Sequence, residues 1–207
     1  MKINVIGATG MVGREVVAEA AARGHEVVAY ARSGKAVEGA AYATGLDMAD
    51  TVRVVEAVNG ADVTIIAVSA GRDGQDPQPV IDAYRALIAA QPAARIIAVG
   101  GAGSLNADEV GTLIKDTPSF PADYYPEANA FATILQELRN SNGVDWTVVA
   151  PSPVIAPGTR TGEYVTADDV PAGEGVSVED FAIALIDEAE NPTHRQARFT
   201  VASNGLA

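Results

Sequence analysis

Short apolar runs alternate along the chain with stretches of helical periodicity, the pattern of successive strand–helix units. Lys2-Ile3-Asn4-Val5-Ile6 has the pattern of a buried strand. Over residues 11–23, Val12, Val16 and Ala20 recur every fourth position and make one helical face, which Gly24 ends. Glu26-Val27-Val28-Ala29-Tyr30 is a second strand, and residues 41–46 are a third. Asp50 or Thr51 then caps a helix running to Val58, closed by Asn59-Gly60.

Residues 61–68 form the clearest interior strand, followed by a polar, glycine-containing stretch over 69–76. A helix over 78–90 turns Val80, Ala83, Tyr84, Leu87 and Ile88 inward. Arg95-Ile96-Ile97-Ala98-Val99 is the fifth strand, with Gly100-Gly101-Ala102-Gly103-Ser104 as the loop after it. A helix over 126–140 precedes the strand Trp146-Thr147-Val148-Val149, and a proline loop covers 151–158. The capping signal Ser177-Val178-Glu179-Asp180 opens a last helix to Glu190, and Phe199-Thr200-Val201 is the final strand. The stretch 104–123 carries no readable pattern. With right-handed crossovers, this order gives an α/β protein built on a doubly wound parallel sheet.

A length of 207 residues suits one domain, with small substrate-side elements over about 151–207 rather than a separate substrate domain. The net charge of −13 disfavours nucleic acid and anionic membrane surfaces as partners. Residues 1–35 run against that balance, with five basic side chains (Lys2, Arg14, Arg23, Arg32, Lys35) against three acidic ones, as if an anion were to be held there. The absence of Cys removes thiol nucleophiles and thiolate metal sites, and two histidines are too few for a multi-histidine centre, so no metal is expected. No apolar run has the ~18–20 residues of a membrane span. MKINVIGATG reads directly into a strand and a glycine turn, so a cytoplasmic protein without a signal peptide is expected.

The strongest chemical signal is Gly7-Ala8-Thr9-Gly10-Met11-Val12-Gly13, between the first strand and the first helix. Gly7 permits the tight turn, Gly10 lets backbone approach a diphosphate, and Gly13 lets helix and strand pack closely, while the helix N-terminus offers free N–H groups to the anion. At the end of the second strand, where an NAD site carries a carboxylate, stand Tyr30-Ala31-Arg32-Ser33, with Lys35 behind. Arg32 and Ser33 suit a 2′-phosphate, with Arg14 or Lys35 adding charge, so NADP(H) is expected over NAD(H). Asp47 is either an acceptor for the adenine amino group or a turn residue. Val68, Ser69 and Ala70 lie where ribose and diphosphate should pass, and Gly100 opens the next such loop. Pro151-Ser152-Pro153 suits an apolar wall beside the nicotinamide.

Catalytic candidates are Ser104, Tyr124 and Tyr125, downstream of the fifth strand; the alternative is that the tyrosines are structural. A tyrosine acid commonly needs a nearby lysine, and Asn129 stands four residues after Tyr125.

GATGMVG at 7–13, Arg32, VGGAGS at 99–104 and the PSP turn at 151–153 together resemble the atypical short-chain dehydrogenase/reductase superfamily. The segments at 116–128 and 177–195 bring the resemblance closest to its small NAD(P)H-binding members, the NmrA-like and flavin-reductase or biliverdin-reductase-B-like proteins, and it extends over almost the whole chain. It implies a Rossmann fold, diphosphate contacts from Gly7, Thr9, Gly10, Met11, Val12 and Gly13, a 2′-phosphate held by Arg32 and Ser33, adenine against Leu46 and Asp47, and ribose beside Ser69 and Ala70. Two departures stand out: Asn129 replaces the lysine of the superfamily's YxxxK pair, and the turn after the sixth strand lacks the histidine of biliverdin-reductase-like members.

These observations lead to an NADPH-dependent reductase passing hydride to a flavin-like or other conjugated small-molecule acceptor. The alternative is a non-catalytic NADP(H)-binding redox sensor of the NmrA-like type. A sugar-nucleotide epimerase would need a Tyr–Lys pair and a larger C-terminal domain. A monomer or weak homodimer is compatible with the sequence.

Overall fold

The strand sequences place apolar side chains on both faces, and a parallel sheet covered by helices on both sides is what such strands require. A computed structural model, which describes residues 1–71 and 74–206, has this arrangement. Ten strands are present among the described residues: β1 (Lys2–Ile6), β2 (Glu26–Ala31), β3 (Tyr42–Gly45), β4 (Val63–Ile66), β5 (Arg95–Val99), β6 (Trp146–Pro151), β7 (Val154–Ala156), β8 (Val165–Ala167), β9 (Gly175–Ser177) and β10 (Ala197–Ala202). The helices are α1 (Met11–Ala22), α2 (Thr51–Asn59), α3 (Gln78–Ala89), α4 (Tyr125–Arg139) and α5 (Val178–Glu190).

Eight strands form one sheet in the order β3-β2-β1-β4-β5-β6-β10-β8, parallel throughout except for β8, which runs antiparallel to β10. Alternation sorts the core. Ile3, Val5, Val63, Ile65, Ile97, Val149 and Phe199 pack with Val16 and Val17 of α1 and Phe181 and Leu185 of α5. Ile6, Ile66, Ile96, Trp146 and Val148 face Val58 of α2, Leu87 of α3 and Leu138 of α4. The chain winds one way from β1 to β3 and the other way from β4 onward. A crevice therefore opens at the carboxyl ends of β1 and β4, where open α/β sheets take their ligands.

Local signals predicted most boundaries. Asp50 caps α2 by accepting from Arg53 N, and Ser177 caps α5 by accepting from Asp180 N at 3.1 Å. On α3 the inward face includes Ile81, while Val80 and Ile88 are half-buried. The expected proline loop over 151–158 needs correction. β6 continues to Pro151, and Val154–Ala156 pairs in parallel with Gly175–Ser177. Three-residue strands carry no readable period, and their partners lie about twenty positions away, so the sequence pattern could not reveal them. The segment 104–123 contains short 3₁₀ turns at Ile114–Asp116 and Ala122–Tyr124 and an isolated bridge between Asn106 and Leu113.

Buried charges pin the layers together. The Arg95 guanidinium, 7% exposed, donates to the Glu188 carboxylate, to the Glu188 carbonyl (2.7 Å) and to Thr147 Oγ1 (2.7 Å). His194 adds its backbone N–H and Nδ1 to the same carboxylate. Burial works against the charge on Glu188, but these hydrogen bonds outweigh it and hold its pKa below the ordinary value. Arg23 bonds Glu19, Asp187 and Glu190 and so ties α1 to α5. That removes one of the five N-terminal cations from the set available to an anion.

Candidate nucleotide site at the carboxyl edge of the sheet

The glycine turn lies at the crevice. Gly7 has φ +88°, and a Cβ there would stand 2.3 Å from the Ala67 carbonyl oxygen of the neighbouring strand's end. A Cβ on Gly13 would stand 2.2 Å from the Gly7 carbonyl oxygen. Both positions are closed to any side chain by backbone atoms. Gly10 differs: it is the N-cap of α1, with φ −73° and ψ 172°, and a Cβ would come no closer than 3.2 Å to anything built by the chain. The first turn holds no acidic side chain. Among the described residues, the amides of Met11, Val12 and Gly13 have no backbone or side-chain acceptor. Free donors at a helix N-terminus beside a position with no side chain fit a diphosphate.

Beside this turn a cleft of about 780 Å³ is lined by Thr9 and Arg14 on one side and Ser33, Lys35 and Val37 on the other. Arg14 and Lys35 have no ion pair among the described residues, while Glu15 and Glu38 also reach the lining. The structure thus brings together Thr9, Arg14, Ser33 and Lys35. Arg32 is exposed at the end of β2 but stands outside this lining, without a salt-bridge partner among the described residues. The turn that carries it is tight, with Gly34 N donating to Ala31 O at 3.0 Å.

Asp47 accepts from Ala49 N at 2.9 Å through one carboxylate oxygen, a local turn bond, and is exposed. Leu46 is buried with Met48 and Val54 in the core. After β4, Val68 is half-buried, Ser69 exposed and Ala70 fully buried. The polar, glycine-containing stretch over 69–76 includes Arg72 and Asp73, which lie outside the described residues. Gly100 donates its N–H to Val149 O at 2.8 Å, and a Cβ there would meet Val148 at 2.8 Å. Pro151 is buried in β6 opposite Val201, and Ser152 follows it with a fully buried hydroxyl that has no partner among the described residues.

The catalytic candidates separate. Ser104 is buried, donates from Oγ to Gly101 O at 2.7 Å, and accepts from Arg198 Nη1 at 3.2 Å. Its hydroxyl is therefore engaged in holding the loop after β5. Arg198, itself buried, also grips Asp169, and burial pushes its pKa down. One guanidinium thus joins β10, the loop after β5 and the turn before β9, and no sequence spacing announces it.

Tyr124 is 63% exposed and Tyr125 42% exposed, at the start of α4. The Lys115 ammonium lies 5.1 Å from the Tyr125 ring centroid and 2.7 Å from Asp116 Oδ1. Burial works against the Lys115 charge, but Asp116 and the Tyr125 phenol outweigh it and raise its pKa. A lysine absent at the fourth position after Tyr125 is thus supplied from the 3₁₀ turn ten residues before it, a partnership no helical spacing encodes. His25 and His194 bond Glu190 and Glu188 through their rings. Both lie near the amino ends of β2 and β10, at the opposite edge of the sheet.

Comparison with known proteins agrees with this architecture. Residues 7–192 match the family model described as NAD(P)H-binding. The uncharacterized protein YwnB of Bacillus subtilis (strain 168) is 38% identical over 213 residues, covering 98% of this chain and 99% of its own length. A solved structure from Streptococcus pneumoniae TIGR4, named a candidate NADH-flavin reductase, superimposes with a TM-score of 0.85 at 34% identity, covering 99% of this chain and 100% of its own. A candidate epimerase from Bacteroides thetaiotaomicron gives a TM-score of 0.85 at 32% identity, covering 100% of this chain and 97% of its own.

Proposed function

The chain belongs to the NAD(P)H-binding family, and on that premise we propose that it is a reductase that uses NADPH in preference to NADH and reduces a flavin-like or other conjugated small molecule. The observation that carries this proposal is the glycine turn: three unengaged amides at the start of α1, beside a position whose missing side chain leaves room for phosphate. Gly7, Thr9, Gly10, Met11, Val12 and Gly13 hold the diphosphate. Arg14, Ser33 and Lys35, with the exposed Arg32 next to Ser33, hold the 2′-phosphate by charge-assisted hydrogen bonds. Asp47 keeps one carboxylate oxygen for the adenine amino group, with Leu46 behind it. Val68, Ser69 and Ala70 flank the ribose.

A bound reduced nicotinamide supplies a hydride. The chain's own contribution at that end is orientation and exclusion of water: Gly100 and Pro151 bring small or rigid surface close to the ring, and the Arg198 clamp fixes the loop that ends at Ser104. A conjugated acceptor takes its proton from solvent, so no side-chain acid is required. Support for the acceptor class comes from the Streptococcus relative's name as a candidate NADH-flavin reductase.

The test is steady-state oxidation of NADPH at 340 nm with free flavin, beside a direct titration of dinucleotide binding. Turnover above the non-enzymatic rate is expected. Tight binding without net oxidation across several acceptors would overturn the reductase and favour a redox sensor. An epimerase, as the Bacteroides relative is named, would also consume no NADPH but would interconvert a sugar nucleotide.

A further inference from the structure

A second cavity, of about 900 Å³, shares no lining residue with the cleft beside the glycine turn. Its walls come from three short strands that the sequence pattern did not reveal and from the end of the last one. Val154 opens β7, Val165 opens β8, Gly175 opens β9, and Ala202 closes β10. β10 runs parallel to β6, so Ala202 and the residues after it stand at the carboxyl edge, the edge that also carries the glycine turn. In the strand order, β10 is four places from β1, roughly 19 Å at ordinary strand spacing, on the side away from β2. A dinucleotide with its adenosine end beside β2 and its diphosphate on the turn directs its far end toward β5 and β6, the side on which this cavity opens.

The lining is mixed. Val154, Val165, Ala202 and Leu206 give apolar surface on which a ring system can lie, and Tyr164, Ser203 and Asn204 add polar groups beside it. Its charge is one-sided. Glu163 and Glu174 both line it, and among the described residues no lysine or arginine does. Neither carboxylate has an ion-pair partner among the described residues, whereas Glu19, Asp169 and Asp187 nearby each hold an arginine. Two uncompensated carboxylates on a chain of net charge −13 repel an anion entering the cavity.

We propose that this cavity binds the acceptor and selects uncharged conjugated rings over phosphorylated or carboxylated ones. The proposal rests on the hydride-transfer function above and narrows its substrate class.

Riboflavin and FMN make the test, since they share one ring system and differ by a phosphate. Each is titrated with the full-length protein in the presence of NADP+, following quenching of flavin fluorescence. Riboflavin is expected to bind at least about tenfold more tightly than FMN at low salt, with the gap closing as ionic strength rises. The Glu163→Gln/Glu174→Gln double variant is expected to narrow the gap to about twofold, and Glu174→Lys to reverse it in favour of FMN. Ala172→Trp, which crowds the cavity with an indole, is expected to weaken riboflavin binding at least about tenfold while leaving NADP+ affinity unchanged.

Equal or tighter binding of FMN by the wild type would overturn the selectivity. So would a preference for riboflavin that neither carboxylate change alters. Undiminished quenching in Ala172→Trp with a normal melting temperature would place the ring elsewhere, and no quenching by either flavin would also overturn the proposal. NADPH oxidation is scored separately. If it fails while the riboflavin preference and its response to charge hold, the reductase falls and the cavity's selectivity stands.

Discussion

Replacing Gly10 by Ala separates binding from folding at the glycine turn. The backbone there (φ −73°, ψ 172°) is open to any residue, and the new methyl would stand 3.2 Å from Gly7 O and 3.9 Å from Ala67 O. The fold therefore gives way little. Ala is a poorer N-cap than Gly by about 0.5–1 kcal/mol, partly offset by the lower entropy of the unfolded chain. The melting temperature should fall by no more than about 2–4 °C. Binding is another matter, because the methyl would take up space that the missing side chain leaves for phosphate beside the free amides of Met11, Val12 and Gly13. Loss of two hydrogen bonds to a charged phosphate, at about 1.5 kcal/mol or more each, weakens NADPH by about a hundredfold. Calorimetric titration of NADPH and a thermal melt of the apo protein measure the two effects.

Gly13→Ala is the counterpart. Its methyl would be driven to 2.2 Å from a backbone carbonyl, an overpacking that costs about 1–3 kcal/mol and shows first in the melt. An NADPH affinity within threefold of wild type in Gly10→Ala would refute the placement of the diphosphate on this turn.

Arg14→Ala, Lys35→Ala and Arg32→Ala should each weaken NADPH by roughly 1.5–3 kcal/mol while changing NADH little, because the charge-assisted contact exists only with the 2′-phosphate; equal losses for both dinucleotides in parallel titrations would show that the residue does not read it. Tyr125→Phe should lower kcat with a flavin acceptor less than threefold, since solvent supplies the proton, whereas a loss near a hundredfold would make Tyr125, with Lys115 beside it, the required acid. Glu188→Gln should destabilise by about 3 kcal/mol in a denaturant titration, because it leaves the buried Arg95 charge with only the Asp145 carboxylate, 3.9 Å away. The Glu188 pKa is lower in the folded than in the unfolded chain. Its stabilisation is therefore complete above the ordinary value of 4.5 and is lost as the pH falls below it, so the variant should flatten the acid limb of the stability–pH profile; an unchanged acid limb would sink that assignment.

Local sequence pattern determined the seven parallel strands of the sheet and its ligand edge. Runs such as Arg95–Val99 are strands in any context that buries both faces, and Gly7, Gly10 and Gly13 are legible because each answers a local steric demand within a few residues. Capping by Asp50 and Ser177 is local too. Tertiary structure decided what depends on residues far apart in the chain. It put Arg14 and Lys35 into one cleft and left Arg32 outside its lining, where the sequence pointed first to Arg32. It gave Tyr125 a lysine from a 3₁₀ turn and bound the Ser104 hydroxyl into the packing around Arg198. It also paired β7 with β9 across twenty residues and so built the cavity at the C-terminal side. The reason is one of range. Backbone sterics and capping act within about one turn of chain, whereas ion pairs, stacked cations and short strand pairs form between whichever segments the packed core brings together.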